Sequence, residues 1–321
     1  MTLSKSSIKV DDELKDLLKK FFLKPFKVGT LYNFQHSSDL NLNEMYSYAS
    51  SVFDDPDCLH LQSVNMARHL YDCSQHPMIK NGELYIAHLD ECVIEGEVCE
   101  VLGIFKSENK ETYLKVYPQN DQFEVTRENG ININKLDKGC LIFNTEKEYG
   151  YKVAIIDHSS NANEAARFWK DDFLGLSPRE DSFYHTQNYI DMCRGFAHEA
   201  LGAATTRVDQ IDLMNNSIAY FRETETFNKQ EFAEQVMQEP EVIEAFESYK
   251  NQYVEERQVA VYDEFDVSKP AVKQSKKFVK SVIKLDKNFH VYVHGNRENV
   301  ERGYDEGRRQ NFYTLYFHEE S

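Results

Sequence analysis

The fold class follows from two runs of residues, VCEVLGIFK at 98–106 and TYLKVY at 112–117. Both are rich in β-branched and aromatic residues, which favour strands, and the polar residues 107–110 separate them. This arrangement predicts a hairpin in an antiparallel sheet, and the polar residues 145–150 predict a second hairpin. The other strands predicted for this region are 84–89, 122–126, 140–144 and 151–157.

Apolar residues at helical spacing flank the predicted sheet. Before it, the pattern predicts helices over 11–22, 42–53 and 58–73. After it, helical patterns continue as far as residue 253, with Asn228 as the N-cap of one helix.

The chain length allows about two domains of ordinary size. We predict an α+β fold whose N-terminal domain, residues 1–160, combines helices with an antiparallel sheet. The C-terminal domain, residues 161–321, is predicted to be mainly helical. It is expected to end in a basic helix and a β-hairpin whose strands are 289–294 and 312–318.

Composition restricts the class of protein. The chain has 321 residues, of which 41% are hydrophobic and 13% aromatic, so sizeable cores are expected. No run approaches the roughly 18 apolar residues that a bilayer span requires, and the N-terminus lacks the apolar region of a secretory signal. The six scattered cysteines are typical of reduced thiols and not of a disulfide framework. We therefore expect a cytoplasmic protein without membrane spans or disulfides.

The charge distribution is most uneven at residues 268–287, SKPAVKQSKKFVKSVIKLDK. Seven lysines and one aspartate give this segment a charge of +6, whereas the whole chain carries −17, so the other residues carry −23. At about 100° per residue, five lysines share one stripe and apolar residues lie opposite. We therefore predict an amphipathic helix over 269–285, capped by Ser268. The lysines are Lys273, Lys276, Lys277, Lys280 and Lys284, and the apolar residues are Ala271, Phe278, Val279, Val282 and Ile283.

Two interpretations of these five lysines stay open. Five ammonium groups along about 16 Å of helix axis match the reach of a few backbone phosphates of a duplex. A row of lysines is also a common solvated helix face, or the partner of an acidic surface in the same molecule. Because lysine lacks the planar fork with which arginine reads guanine, a nucleic-acid contact here would bind phosphate and carry no sequence preference.

Sequence signatures of common enzyme sites are missing. The chain contains no P-loop, no glycine-rich dinucleotide-binding turn, no nucleophile elbow, and no HExxH or paired CxxC motif. Asp90 with Glu108 and Lys110 imitates the spacing of metal-dependent nucleases. Glu108 and Lys110 fall in a predicted exposed turn, however, whereas a nuclease centre requires rigid positions, so a polar turn is favoured. We predict no catalytic residues.

Some histidines and cysteines lie close enough in sequence to suggest a shared metal ion. His88, Cys92 and Cys99 fit no compact zinc motif and supply only three ligands, so packing in or beside a strand is the favoured interpretation. His290 and His294 share a face of a predicted strand, where ordinary surface histidines explain them equally well. We predict neither a metal site nor a cofactor.

Two other segments have competing interpretations. Residues 168–173, FWKDDF, contain the only tryptophan, and Trp169 with Phe173 is expected to dock a helix on its neighbour; cation binding by the two aspartates is the alternative. The arginines of residues 297–309 could extend the lysine stripe or form a self-neutralised hairpin, and the hairpin is favoured. These arginines are Arg297, Arg302, Arg308 and Arg309.

Five stretches spread over nearly the whole chain carry a family resemblance: SVNMARHLYD (63–72), LGIFKSENKETYLKVY (102–117), GININKLDKGCLIFN (130–144), FWKDDFLGLSPRED (168–181) and IKLDKNFHVYVHG (283–295). They resemble the 37-kDa nucleoid-associated protein family, the NdpA/YejK-like group. The resemblance implies a cytoplasmic bacterial protein found with the nucleoid, with no agreed enzymatic activity. It also implies a possible protein partner, because some members are associated with DNA topoisomerase subunits.

Three functional hypotheses result. The first is a non-enzymatic nucleoid-associated protein that binds double-stranded DNA without sequence preference through the five lysines. The second is an acidic adaptor that reaches the nucleoid through a topoisomerase subunit or another DNA-handling partner. The third, a nuclease, lacks a convincing metal constellation. The sequence leaves the oligomeric state undetermined.

Overall fold

The computed structural model describes residues 1–27, 29–74, 79–120, 122–158, 168–200, 207–257, 259–275, 282–285, 289–292 and 300–319. It contains helices and antiparallel sheets, which confirms the α+β class. Two compact units divide the chain: an N-terminal unit, Met1–Arg179, and a C-terminal unit, Glu180–Ser321. The division falls after the predicted boundary at residue 160, because residues 168–178 contribute to the core and the sheet of the N-terminal unit.

The helices of the N-terminal unit agree with the helical periodicity of the sequence. Aspartate and asparagine side chains cap two of them: Asp11 accepts a hydrogen bond from the backbone N–H of Leu14, and Asn43 from that of Tyr46. The α-helices are α1 (Asp12–Leu23), α2 (Glu44–Asp54) and α3 (Leu59–Cys73), and a π-helical segment follows at Phe168–Leu174.

Most strands of this unit are longer than predicted, the strand Lys152–Asp157 is one residue shorter, and two short strands were not predicted. The strands are β1 (Tyr32–Phe34), β2 (Glu83–Ile94), β3 (Glu97–Ser107), β4 (Lys110–Gln119), β5 (Gln122–Ile131), β6 (Lys138–Phe143), β7 (Lys152–Asp157) and β8 (Leu176–Pro178).

Strand pairing corrects one of the two predicted hairpins. The main sheet has six antiparallel strands in the order β2-β3-β6-β7-β1-β8, and β6 and β7 form the hairpin predicted around residues 145–150. The prediction that β3 pairs with β4 is wrong: β3 lies between β2 and β6, and β4 pairs with β5. Residues Val101–Phe105 of β3 are buried, so this strand needs a neighbour along each edge and cover on each face.

Both faces of the main sheet are covered. Alternate residues of β3 and β6 point to opposite faces, so Leu102 and Ile104 pack with α2, α3 and the π-helical segment. Val101 and Phe105 pack on the other face against Phe21 and Phe22 of α1, and the rings of Phe22 and Phe105 stack with centroids 4.1 Å apart. Helix α1, which the apolar spacing of the sequence predicted, therefore covers one face of this sheet.

The π-helical segment docks on the N-terminal core as its aromatic spacing predicted. Trp169 and Phe173 are buried, with ring centroids 5.0 Å apart. Asn43 holds the end of the segment, because its side-chain amide donates hydrogen bonds to the carbonyl oxygens of Leu174 and Gly175, at 3.2 and 3.1 Å. Lys170 forms an ion pair with Asp171 at 3.0 Å. The docking role assigned to Trp169 and Phe173 is confirmed.

The C-terminal unit begins with helices. Asn228 caps one of them, as predicted, by accepting hydrogen bonds from the backbone N–H groups of Gln230 and Glu231. The α-helices are α4 (Ser182–Gly195), α5 (Arg207–Glu223), α6 (Lys229–Phe232), α7 (Pro240–Arg257) and α8 (Lys269–Ser275), and π-helical segments follow α4 at Phe196–Ala200 and α6 at Ala233–Met237. Two short strands, β9 (Thr226–Asn228) and β10 (Glu264–Asp266), pair in an antiparallel ladder.

Aromatic residues form the core of this unit. Tyr189 of α4 lies in the middle, with its ring centroid 4.2 Å from that of Phe227 and 5.4 Å from that of Phe232. Among the described residues, no helix is both long enough and apolar enough to cross a membrane. The six cysteines, all within the described ranges, are free thiols.

The last strands pair differently from the prediction. Strands 289–294 and 312–318 were expected to form one hairpin, but each pairs with a strand that precedes it closely in sequence. The pairs are β11 (Val282–Leu285) with β12 (Phe289–Tyr292), and β13 (Val300–Asp305) with β14 (Gln310–Leu315). The two short, local ladders require little loop closure, which favours them over one long connection.

Candidate nucleic-acid interface

The basic segment starts on a helix that is anchored in the C-terminal unit. The backbone N–H of Val272 donates to the carbonyl oxygen of Ser268 at 3.1 Å, which places Ser268 at the start of α8. The backbone N–H of Ser268 in turn donates to the hydroxyl of Thr186 on α4, at 2.9 Å. Ala271 and Val272 are buried and Lys273 is exposed. The predicted segregation of apolar and basic residues therefore holds over this helix.

The predicted extension of this helix to residue 285 is wrong at its C-terminal end. Val282–Leu285 is a strand, and Lys284 lies opposite His290 of the neighbouring strand. Two β-branched residues, Val282 and Ile283, pair there with Tyr292 and Val291, and such cross-strand pairs favour a strand over the helix that periodicity alone predicts. A 3.6-residue pattern could not reveal this local partner.

The five predicted lysines consequently do not share one helical stripe. Lys273 lies on α8 and Lys284 on β11, whereas Lys276, Lys277 and Lys280 lie outside the described residues. Phe278 and Val279 also lie outside the described residues. The predicted burial of Val282 and Ile283 likewise falls outside what the structure describes. Whether these lysines contact nucleic acid stays a prediction.

Lys269, which precedes the predicted set, has a structural role. Its ammonium group donates hydrogen bonds to the carbonyl oxygens of Arg222, in the last turn of α5, and of Thr224, just after the helix, and lies 3.7 Å from the Glu225 carboxylate. Carbonyl groups at a helix C-terminus lack partners within the helix and carry partial negative charge, so a lysine there stabilises the end of α5. Lys273, one turn along α8, has no ion-pair partner within the described residues.

Two other lysines of this unit, like Lys269, interact with groups of the same unit. Lys229 forms an ion pair with Glu247 at 2.8 Å, and this hydrogen bond raises the pKa of the Lys229 ammonium group. Lys250 bonds to Asp263 at 2.6 Å and holds the pKa of that carboxyl below its usual range. Lys273 therefore differs from Lys229, Lys250 and Lys269, because its side chain is exposed and no carboxylate of the described residues pairs with it.

We expect the substitutions Lys269→Ala and Lys273→Ala to separate these two roles. Lys269→Ala should lower the free energy of unfolding by about 1 kcal/mol, because α5 loses its C-terminal donor. Lys273→Ala should change it by less than about 0.5 kcal/mol, as is usual for an exposed side chain. Amide hydrogen exchange of residues 207–223 measures the difference. Equal protection of α5 in the two variants would contradict the role given to Lys269.

The arginines near the C-terminus are partly neutralised by their own hairpin. The backbone N–H of Arg308 donates to the Asp305 carboxylate at 2.9 Å, and the Arg308 guanidinium lies 3.9 Å from the same carboxylate. Arg309 is exposed in the turn, Arg302 lies on β13, and Arg297 lies outside the described residues. For Arg308, this agrees with the self-neutralised hairpin favoured from the sequence.

The three residues that imitate a nuclease centre, Asp90, Glu108 and Lys110, do not come together in the structure. Asp90 lies near the end of β2 opposite Glu100, whereas Glu108 follows the other end of β3. At about 3.3 Å per residue, the seven steps along the strand from Glu100 to Ser107 span roughly 23 Å. Glu108 also differs from the exposed turn that was predicted: its side chain is only 7% exposed and bonds to Lys106 at 2.7 Å. Lys110 pairs with Glu83.

The alternative metal group His88, Cys92 and Cys99 is divided between the two faces of the sheet. His88 lies beside the ring of Phe53, on the face covered by α2. Cys92 and Cys99 pack with the core on the face covered by α1. Burial and the nearby Asp90 carboxylate raise the pKa of the Cys92 thiol, which disfavours the thiolate that binds metals.

Comparison with known proteins agrees with the resemblance noted in the sequence. The family described as nucleoid-associated protein YejK matches residues 1–310. A search of curated proteins found no match. The chain therefore belongs to the family of nucleoid-associated protein YejK. Membership assigns it a nucleoid-associated role and a location at the nucleoid in the cytoplasm.

Proposed function

We propose that this protein is a non-enzymatic nucleoid-associated protein that binds the phosphate backbone of duplex DNA without sequence preference. The residues that would contact phosphate are Lys273, Lys276, Lys277, Lys280 and Lys284. The observation that carries the proposal is Lys273, an exposed lysine without an ion-pair partner in the described part of the chain, at the start of a segment with a charge of +6.

The change from helix to strand within the segment alters the expected contact but does not remove it. Lysines bind phosphate as point charges, so they need to reach successive phosphates and need not occupy one helical stripe. Ala271 and Val272 are buried, so α8, with which the basic segment starts, is anchored to the core. Binding should depend steeply on salt, because each neutralised phosphate releases counterions and the rest of the chain carries −23.

We expect the triple substitution Lys276→Glu, Lys277→Glu and Lys280→Glu to abolish duplex binding at every DNA sequence. Three phosphate contacts would become repulsions, and each lost contact removes about 0.9 from the slope of log affinity against log salt. A single Lys273→Ala substitution should weaken binding modestly and reduce that slope by about one. Fluorescence anisotropy of labelled duplexes of unrelated sequence, titrated over a range of salt, measures both quantities.

The control is a triple substitution with the same change in net charge elsewhere in the chain. Lys15, Lys19 and Lys20 are exposed on α1, and their replacement by glutamate leaves the basic segment intact. This control should retain most of the affinity and the salt slope. If both triple variants bind equally, the lysine segment has no special role. If the wild type fails to bind duplex DNA even at low salt, the proposal of direct contact is overturned.

A second candidate function is supported by the charge outside the segment. The other residues carry −23, which favours association with a basic protein surface and repels free DNA at long range. In this alternative the protein is an acidic adaptor that reaches the nucleoid through a topoisomerase subunit or another DNA-handling partner. Adding a purified topoisomerase subunit to the anisotropy experiment distinguishes the two: an adaptor should join DNA only when the partner is present, and the triple substitution should then leave this recruitment unchanged.

A further inference from the structure

The hairpin of β2 and β3 contains a β-bulge that gathers three potential metal ligands. Leu89 pairs with Val101 and Cys92 with Cys99, so Asp90 and Glu91 together oppose the single residue Glu100. Glu91 adopts a left-handed backbone conformation, with φ of 54°. Such bulges re-aim side chains and recur beside functional sites.

The bulge places His88, Asp90 and Glu100 together. His88 Nδ1 lies 3.7 Å from Asp90 Oδ1, and His88 Nε2 lies 3.8 Å from Glu100 Oε2. One potential ligand atom from each residue falls within a common distance of 4.8 Å. The bulge also shifts the alternation of the strand, which is why Cys92 lies on the opposite face although residues 88, 90 and 92 alternate in the sequence.

The imidazole of His88 carries an unsatisfied polar atom. Its Nε2 is buried and has no hydrogen-bond partner among the described residues, and the 3.8 Å separation from Glu100 is too long for a hydrogen bond. Buried polar atoms in native proteins almost always have a partner, so this nitrogen requires an explanation. The histidine side chain is 14% exposed, whereas those of Asp90 and Glu100 are 77% and 42% exposed. The unsatisfied nitrogen thus lies next to carboxylates that solvent can reach.

A further polar side chain supports one of the carboxylates. Asn144 donates from its side-chain amide to Glu100 Oε2 at 3.3 Å, and its backbone N–H donates to the carbonyl oxygen of Glu100 at 2.9 Å. The nearby Lys152 does not neutralise the group, because its ammonium bonds to Glu95 and Glu146, at 2.7 and 3.1 Å. Supporting contacts of this kind orient carboxylates that bind metals.

We propose that His88, Asp90 and Glu100 bind a divalent first-row transition-metal ion of the Mn²⁺ or Zn²⁺ class. One imidazole nitrogen and two carboxylate oxygens form a borderline-to-hard ligand set, whereas Mg²⁺ and Ca²⁺ prefer oxygen ligands alone. Bonds of about 2.0–2.2 Å require the ligand atoms to converge, and the two exposed carboxylates can rotate inward to do so. Water would complete the coordination. The group uses none of the lysines of residues 268–287, so the proposal does not rest on the proposed DNA contact.

Mn²⁺ is the preferred probe, because free thiols elsewhere in the chain bind it weakly in comparison with Zn²⁺. Full-length protein is first treated with a chelator and then titrated with Mn²⁺, with the bound ion followed by electron paramagnetic resonance. We expect saturable binding of one ion per chain. Asp90→Asn and Glu100→Gln should each weaken binding at least about 10-fold, the smallest loss typical of removing even a supporting contact.

Glu97→Gln is the matched control, since Glu97 is an exposed carboxylate on the same strand as Glu100 but outside the group. It should bind Mn²⁺ as the wild type does. Asp90 is the more informative position, because its side chain is largely exposed and its replacement should leave folding intact; circular dichroism checks this. The proposal is overturned if the wild type binds neither Mn²⁺ nor Zn²⁺ at this site, or if Asp90→Asn and Glu100→Gln bind as tightly as Glu97→Gln.

Discussion

Trp169→Ala should lower the free energy of unfolding of the N-terminal unit by about 3–5 kcal/mol, the usual cost of truncating a buried large aromatic residue. The indole is fully buried between the main sheet and its helices, and its ring lies 5.0 Å from that of Phe173 and 6.3 Å from that of Phe168. Its removal leaves a cavity that a close-packed core cannot fill completely. Because the protein loses its only tryptophan, urea unfolding is followed by far-ultraviolet circular dichroism.

Tyr149→Ala is the matched control for this substitution, because Tyr149 is an aromatic residue of the same unit that is 73% exposed. Its loss should change the free energy of unfolding by less than about 0.5 kcal/mol. Trp169→Phe should give an intermediate loss. A Trp169→Ala variant as stable as Tyr149→Ala would show that residues 168–178 do not belong to the N-terminal core, and the predicted boundary at residue 160 would then be preferred.

Gly150→Ala should destabilise the N-terminal unit by about 2–5 kcal/mol, the sum of a left-handed backbone penalty and overpacking. Gly150 has φ of 88°, and an added Cβ would lie 2.4 Å from the carbonyl oxygen of Phe34. The backbone cannot yield freely there, because the N–H of Phe34 donates to the carbonyl oxygen of Gly150 at 2.9 Å. Trp169 fluorescence reports this unit specifically, since it is the only tryptophan of the chain.

Gly96 provides a control with the same backbone conformation. It also has φ of 88°, but an added Cβ would meet no atom within 4 Å. Gly96→Ala should therefore cost only the conformational penalty of about 1–2 kcal/mol. The excess cost of Gly150→Ala measures the close approach of β1 to the turn between β6 and β7. Equal losses at the two glycines would contradict that contact.

Local patterns predicted much of the helical structure and missed most of the strand pairing. The apolar spacing of α1 and the capping residue Asn228 act within a few residues, so the sequence reveals them directly. The pairing of β3 with β6 joins residues far apart in sequence, and its physical cause is burial of β3 on both faces. A turn signal between β3 and β4 could not show this, because turns report chain reversal and not strand order.

At the candidate sites, too, local patterns were predictable from the sequence and contacts between distant residues were not. Charge counting located the basic segment, but the partner strand Phe289–Tyr292 decided that Val282–Leu285 is not helical. The sequence pattern grouped His88 with two cysteines and not with Asp90 and Glu100, which lie beside it in the structure. The signal available was the alternation of His88 and Asp90 on one strand. No local pattern reveals that a bulge brings Glu100 beside them and turns Cys92 away.

By itself, the sequence determined the α+β class, the family, most helix positions and the concentration of positive charge near residue 280, because composition, periodicity and capping are local properties. The tertiary structure decided the strand order and the inclusion of residues 168–178 in the N-terminal unit. It further decided that Lys269 bonds to carbonyl oxygens at the end of α5 whereas Lys273 is exposed. It also decided which ligand types meet at the bulge. These features depend on contacts between distant residues, whose burial and pairing free energies exceed the local preferences that a sequence pattern records.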